Sequence, residues 1–149
     1  TKLIKAGALL MVVRSGILQR TIPIAINTVD VTMNQDMRAL QFNERMISEY
    51  AANYIVGNVD KLLFAWSKEG ATVESIEQEY LSNSLFPVPS IAEQTKIVDE
   101  INEQMKIFDS LISKAQKAIQ LMQERRTALI SAAVTGKIDV RGWQASVVY

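Results

Sequence analysis

The chain has 149 residues, with 16 Lys+Arg against 16 Asp+Glu, 48% apolar residues and 21% charged ones. That is the length of one domain, or of a small domain with an appendage. The ordinary globular composition excludes long-range disorder and a strongly basic nucleic-acid coat, but not a local basic patch.

Cysteine and histidine are both absent. Their absence excludes disulfides, thiolate nucleophiles, Cys/His zinc sites and histidine-based triads. The longest apolar run, Ala8 to Val13, is too short to span a bilayer, and no basic-then-apolar leader opens the chain. A soluble, cytoplasmic protein without membrane contact is expected. Thr1 rather than Met comes first, so a trimmed chain is expected as well.

Ala8 to Arg14 reads as a strand, an apolar run with β-branched residues near its end. Ser15-Gly16 supplies a turn. Leu18 to Ile26 reads as a second strand, placed at an edge or bulge by Pro23. Asn27 to Asp36 is polar and loop-like, and Met37 to Phe42 is a third short strand. Glu44 to Trp66 is helical, because Ile47, Tyr50, Ala51, Tyr54 and Ile55 recur at helical spacing. Gly57-Asn58 breaks that stretch into two helices. Ser67 to Thr72 is a polar loop, and Val73 to Phe86 fits helix or strand equally. Trp66 is expected in the core.

A boundary falls at Pro87-Val88-Pro89-Ser90, because a residue before proline is pushed out of the helical region. Ser90-Ile91-Ala92-Glu93 then forms a capping box, and Gly136 suits the far end of a helix. About 45 residues lie between, or about 67 Å of helix. Counting alternately three and four gives Ile91, Gln94, Val98, Ile101, Met105, Phe108, Ile112, Ala115, Ile119, Met122, Arg126, Leu129 and Ala133. Eleven of these thirteen are apolar, a coiled-coil repeat. An amphipathic helix lying on its own domain is the alternative, but 86 preceding residues cannot easily cover so long a rod. Burying the seam contributes on the order of 10–20 kcal/mol before ordering costs.

Charge along this helix is uneven. Ile91 to Asp109 holds five acids and two bases, and Ser110 to Val134 holds one acid and four bases. The helix dipole alone accounts for that polarity. An antiparallel second copy also pairs acidic with basic halves, whereas a parallel copy sets like beside like. Antiparallel pairing centred near Ile112 is therefore expected. Gln94 and Arg126 interrupt the seam at opposite ends. Either they fix its register, or they sit at frayed or docking ends.

Several segments carry a resemblance. They are Pro87-x-Pro89, Glu93-Gln94, Ile97, the run Glu124-Arg125-Arg126-x-Ala128-Leu129-Ile130, and the run from Ala132 to Arg141 (AAVTGKIDVR). Together they resemble the specificity subunit of type I restriction–modification enzymes. Gly70-Ala71-Thr72 with Ile76, and Asn34-Gln35-Asp36 with Leu40, are similar to its target recognition domain. The resemblance is specific from Pro87 onward, and its ending after Val140-Arg141 is like that family's C-terminal half. Family members carry two recognition domains, each reading half of a split DNA site, and two spacer helices that pair antiparallel. Methyltransferase subunits dock on this scaffold, and restriction and translocase subunits join them. This chain departs from that pattern in holding one spacer and one recognition domain whose front is expected to be missing, which makes it either a fragment or a half-subunit that dimerises.

The resemblance implies an α+β fold: a partial recognition domain over 1–86, a spacer helix over 90–135 that forms a coiled coil with a partner helix, and a tail over 136–149. Trp143 is expected to pack that tail back. The implied role is non-catalytic DNA specificity, with DNA, the methyltransferase and restriction subunits and a second copy as partners. The alternative is a dimerisation or docking module without DNA binding. No cofactor or metal is implied. Gly136-Lys137 lacks the remainder of a phosphate loop, and the carboxylates show no metal-cage spacing. Candidate DNA contacts are Arg14, Ser15, Gln19, Arg20, Asn34, Gln35 and Lys68, polar side chains on expected loops that suit phosphates and base edges. Asn34-Gln35 reads adenine or merely ties down a turn. The pairing face is expected at Val98, Ile101, Met105, Phe108, Ile112, Ala115, Ile119, Met122 and Leu129.

Overall fold

A computed structural model describes residues 3–67, 75–139, 141, 142 and 144. The expected 67–72 loop beyond Ser67, Lys68, the Gly70-Ala71-Thr72 motif and Trp143 lie outside the described residues. The fold is α+β: a three-stranded antiparallel sheet, three helices and a long C-terminal helix.

The strands are β1 (Leu9–Val12), β2 (Ile24–Ile26) and β3 (Met37–Leu40), in the order β2-β1-β3. β1 is apolar on both faces, with Leu9 and Met11 fully buried and Leu10 and Val12 partly so, which suits the central position. Its register sets Met11 opposite Ile24 on one side, and Met11 opposite Arg38 and Val12 opposite Met37 on the other. β2 lies at an edge, as Pro23 requires. Proline has no N–H to donate to a ladder, and its carbonyl takes the Val12 N–H instead.

The second expected strand is largely replaced. Gly16–Gln19 form a 3₁₀ turn, with Ser15 at its N-cap. Leu18 and Ile22 imitate a strand pattern because both are buried. The backbone, however, closes on itself, through Leu18 N–H to Ser15 O and Arg20 N–H to Ile17 O. Arg14 and Arg20 therefore flank a 3₁₀ turn inside a longer connection, not a tight hairpin turn. The polar stretch after β2 holds another surprise in Asn27, which is buried. Its side chain accepts from Ala8 N–H and donates to the Lys5 and Val29 carbonyls.

The helical stretch divides where Gly57-Asn58 placed it, into α1 (Ser48–Gly57) and α2 (Val59–Trp66). The Asn58 amide donates to the Tyr54 carbonyl at the break. The first helix starts four residues later than its periodicity suggests. Asn43 holds a turn instead, its side chain accepting from Arg45 N–H and its carbonyl from Met46 N–H. The ambiguous segment resolves into a β-bridge at Ser75-Ile76, the short helix α3 (Gln78–Ser82) and extended chain.

The core joins Leu9, Met11, Val13, Leu18 and Ile22 to Ala51 and Ile55 of α1, Leu62 and Trp66 of α2, and Ile76 and Leu81. Trp66 is fully buried, with its indole N–H donating to Ser84 and its ring stacked near Phe86.

The long helix α4 (Ile91–Val134) begins at the expected cap. Ser90 N–H donates to the Glu93 carboxylate at 2.9 Å, and Glu93 N–H donates back to Ser90 Oγ at 3.3 Å. The Ser90 hydroxyl donates to the same carboxylate at 2.7 Å, and this bond first, then the one from the Ser90 backbone, holds the Glu93 carboxyl below the usual carboxylate range. At the far end Gly136 takes φ +73°. Lys137 N–H reaches Ala132 O and Gly136 N–H reaches Ala133 O, the Schellman closure that glycine permits. The compact body extends to Ile101, so the first turns of α4 belong to it, and residues from Asn102 onward form a second unit.

Candidate nucleic-acid interface and helix-pairing face

The antiparallel pairing of β1 with β2 and β3 has a direct consequence for the candidate loops. The end of β1, the start of β2 and the start of β3 lie at one end of the sheet. The connection from Val13 to Pro23 leaves from that end, and the turn at Asn34 to Asp36 arrives there. Val13 N–H donates to Asp36 O at 2.8 Å and ties the two together. A third segment joins them. Ile76 N–H donates to Val13 O at 2.8 Å, Arg14 bridges Ser75, and Ser67 bridges Ile76. Ser67 and Ser75 frame the segment that contains Lys68, which itself lies outside the described residues.

Six of the seven candidate residues thus belong to segments gathered at one end of the sheet. Arg14, Gln19, Arg20, Asn34 and Gln35 are exposed, and Ser15 is half-buried. Their freedom differs. Ser15 caps the 3₁₀ turn, accepting from Ile17 N–H at 3.4 Å. Asn34 accepts from Asp36 N–H at 3.1 Å, which ties down the turn. Its amide group remains the part suited to a base edge.

Arg38 is a candidate that reading the sequence missed. It is exposed on β3, one residue in from Met37, and its Nε donates to the Gln78 side chain at 3.0 Å. Its position in a strand, with no loop signature beside it, gave no signal. No group of three acidic side chains that can hold a metal gathers among the described residues.

The second surface is α4. Every residue from Asn102 to Ser131 is exposed. Met105, Phe108, Ile112, Ile119, Met122 and Leu129 each stand 51–62% exposed. Ala115 is exposed with them, Ile101 is half-buried, and Val98 is already buried within the body. The apolar surface is wider than the expected stripe. Ile107, Leu111 and Leu121 lie on an adjoining stripe, 48–55% exposed. This is well beyond the scattered apolar residues that a solvated helix face normally shows. No described helix is long and apolar enough to cross a membrane.

Gln94 is corrected outright as a register residue. It is wholly buried, and its amide bonds only to backbone groups of the body. A helix partner cannot reach it. Arg126 stays exposed.

Residues 1–124 match the model of the family described as type I restriction modification DNA specificity domain. The chain is 34% identical over 125 residues to the type I restriction enzyme EcoR124I/EcoR124II specificity subunit of Escherichia coli, covering 84% of this chain and 31% of that protein. It is 30% identical over 67 residues to the EcoBI specificity subunit of the same organism, covering 45% of this chain and 14% of that protein. The chain therefore spans about a third or less of the length of these relatives. A solved structure from work on complex assembly and conformational transition of the type I R-M system shares the fold. Its TM-score is 0.71 at 16% identity, over 89% of this chain and 32% of that one.

Proposed function

The chain belongs to the type I restriction–modification DNA specificity family, and we propose that it is a non-catalytic specificity element reading one half of a bipartite DNA site in the cytoplasm. The observation that carries this reading is the gathering of three segments, with Arg14, Gln19, Arg20, Asn34 and Gln35 among them, at one end of a rigid sheet. Side chains that read bases need an accurate platform, and a sheet end provides one. Residues 1–86 supply recognition, and 90–135 supply a spacer with the tail beyond it.

The apolar seam of α4, from the half-buried Ile101 to the exposed Leu129, pairs antiparallel with a second copy. Its acidic half then meets the basic half of the partner. The adjoining stripe of Ile107, Leu111 and Leu121 is left over by a two-helix pairing and takes the methyltransferase subunits. Restriction and translocase subunits join that assembly.

The test is binding by the complex assembled with methyltransferase subunits, measured against salt. Loss of two phosphate contacts in Arg14→Ala/Arg20→Ala lowers the slope of log K against log salt by about 1.8. An unchanged slope and affinity remove both arginines from the interface. A second reading, a dimerisation or docking module without DNA binding, is favoured by the neutral net charge and by the exposed α4 face. Self-association with no sequence-selective binding, even in the assembled complex, selects it.

A further inference from the structure

Gln94 is the one fully buried polar side chain among the described residues, and nothing in the recognition chemistry uses it. Its Oε1 accepts from Ile47 N–H at 2.9 Å, and its Nε2 donates to Arg45 O at 2.8 Å and to Pro89 O at 2.9 Å. Three of the four bonds open to an amide are therefore made, all of them to backbone. Ile47 is the N-cap of α1 and receives no cap from its own side chain. Gln94 satisfies instead the N–H of Ile47 itself, the bond that the glutamine of a capping box makes within its own helix, here supplied from another helix. One residue in the first turn of α4 thus fastens both the entry to α1 and the proline segment leading into α4. Tyr50 adds a bond from its hydroxyl to Pro87 O at 3.2 Å, and Val98, one turn on, is buried.

An apolar side chain of the same size fills such a space without directing anything. Buried apolar contacts tolerate rotation and sliding, whereas three bonds of fixed direction admit one arrangement. The stakes at this pivot are set by length. From Gln94 to Val134 the helix runs about 60 Å at 1.5 Å per residue. A tilt of about 5° at the first turn moves the far end by about 5 Å, more than one base-pair step of about 3.4 Å.

We propose that Gln94 is a positioning residue: its amide fixes the direction in which the spacer helix leaves the recognition body, and so sets the gap between half-sites that the assembly accepts. This rests on the specificity reading above. Volume is nearly kept in Gln94→Met, which removes all three bonds. Gln94→Glu keeps the acceptor and removes both donors, so it serves if the first variant fails to fold. Val98→Ala is the control, weakening the apolar contact and sparing the bonds.

Two measurements are made on the complex assembled with methyltransferase subunits. The first is the distance distribution between spin labels at Asp60→Cys and Lys117→Cys, diluted with unlabelled chain. The absence of native cysteine makes these labels unique. The second is the affinity ratio between a target of preferred spacing and the same half-sites one base pair closer or farther. The Gln94 variants are expected to broaden the distribution and to reduce the ratio tenfold or more. Val98→Ala is expected to lower thermal stability while leaving both unchanged. An unaltered distribution in folded Gln94 variants overturns the proposal, as does an altered one with the ratio intact. If unsubstituted protein shows no sequence-selective binding, the specificity reading fails and the proposed gap-setting role fails with it, while a broadened distribution still identifies the latch.

Discussion

The body up to Ile101 and the helix beyond it solve opposite problems. In the body, apolar side chains from the strands and the three shorter helices meet in one core, and the buried side chains of Asn27 and Gln94 each make three hydrogen bonds to its backbone. Beyond Ile101 one helix carries nine large apolar residues from Met105 to Leu129, and all of them stand exposed. The contrast shows what to expect of each. The body's stability resides in its own contacts, whereas a 44-residue helix cannot bury its own face, and that exposed face is the one the proposed pairing covers.

The sharpest way to break this contrast is a charge on the helix face. In the proposed antiparallel pair Ile112 lies near the centre, so each substitution counts in both copies. Ile112→Asp removes about 1.5–3 kcal/mol of burial per copy. Self-association is expected to weaken by at least about a hundredfold. The urea midpoint of the body is expected to stay where it was, because Ile112 lies outside the body's own unit. Equal loss in both measurements would erase the distinction between the two regions.

The converse substitution acts on the body. Trp66→Ala opens a cavity where a fully buried indole stood and removes the indole N–H that Ser84 accepts. A loss of about 3–5 kcal/mol in unfolding free energy is expected. The affinity of α4 for its partner helix is expected to hold.

A smaller effect sharpens the junction between the regions. Ser90→Ala deletes half of the capping box and is expected to destabilise the start of α4 by about 1 kcal/mol. The cap also titrates. Ser90 holds the Glu93 carboxyl below its ordinary pKa, first through the side-chain bond and then through the backbone. A lowered folded pKa favours the folded form above the unfolded pKa, and that contribution is lost as pH falls through the lowered value. The difference between parent and Ser90→Ala in helix stability is therefore expected to be largest at neutral pH and to shrink on acidification. Circular dichroism against temperature at several pH values measures it.

How much of this was legible in the sequence depended on how local the signal was. The capping box, the break at Gly57-Asn58 and the Gly136 closure each lie within a few residues and fold as read. The strand at Leu18 to Ile26 misled because Leu18, Ile22, Ile24 and Ile26 alternate like a buried face. Ser15 and Pro23 decided the backbone instead, one by capping a turn and the other by withholding an N–H. Gln94 misled for a different reason. Its place in the heptad count is right for a seam, but the groups it meets are near Arg45, almost fifty residues earlier, and no periodicity reports a partner so distant. The gathering of candidate DNA contacts at one end of the sheet likewise required the pairing of strands far apart in sequence. The candidate side chains were chosen by type, but their convergence and the position of Arg38 beside them were not legible.

The most direct test of the account is the mass of the isolated chain in solution, by light scattering after gel filtration at two concentrations. The proposed pairing covers the seam of α4 with a second copy, so a mass near twice 16.7 kDa is expected at the higher concentration. A mass of 16.7 kDa at both concentrations, with the helix intact by circular dichroism, would contradict the pairing on which the scaffold depends.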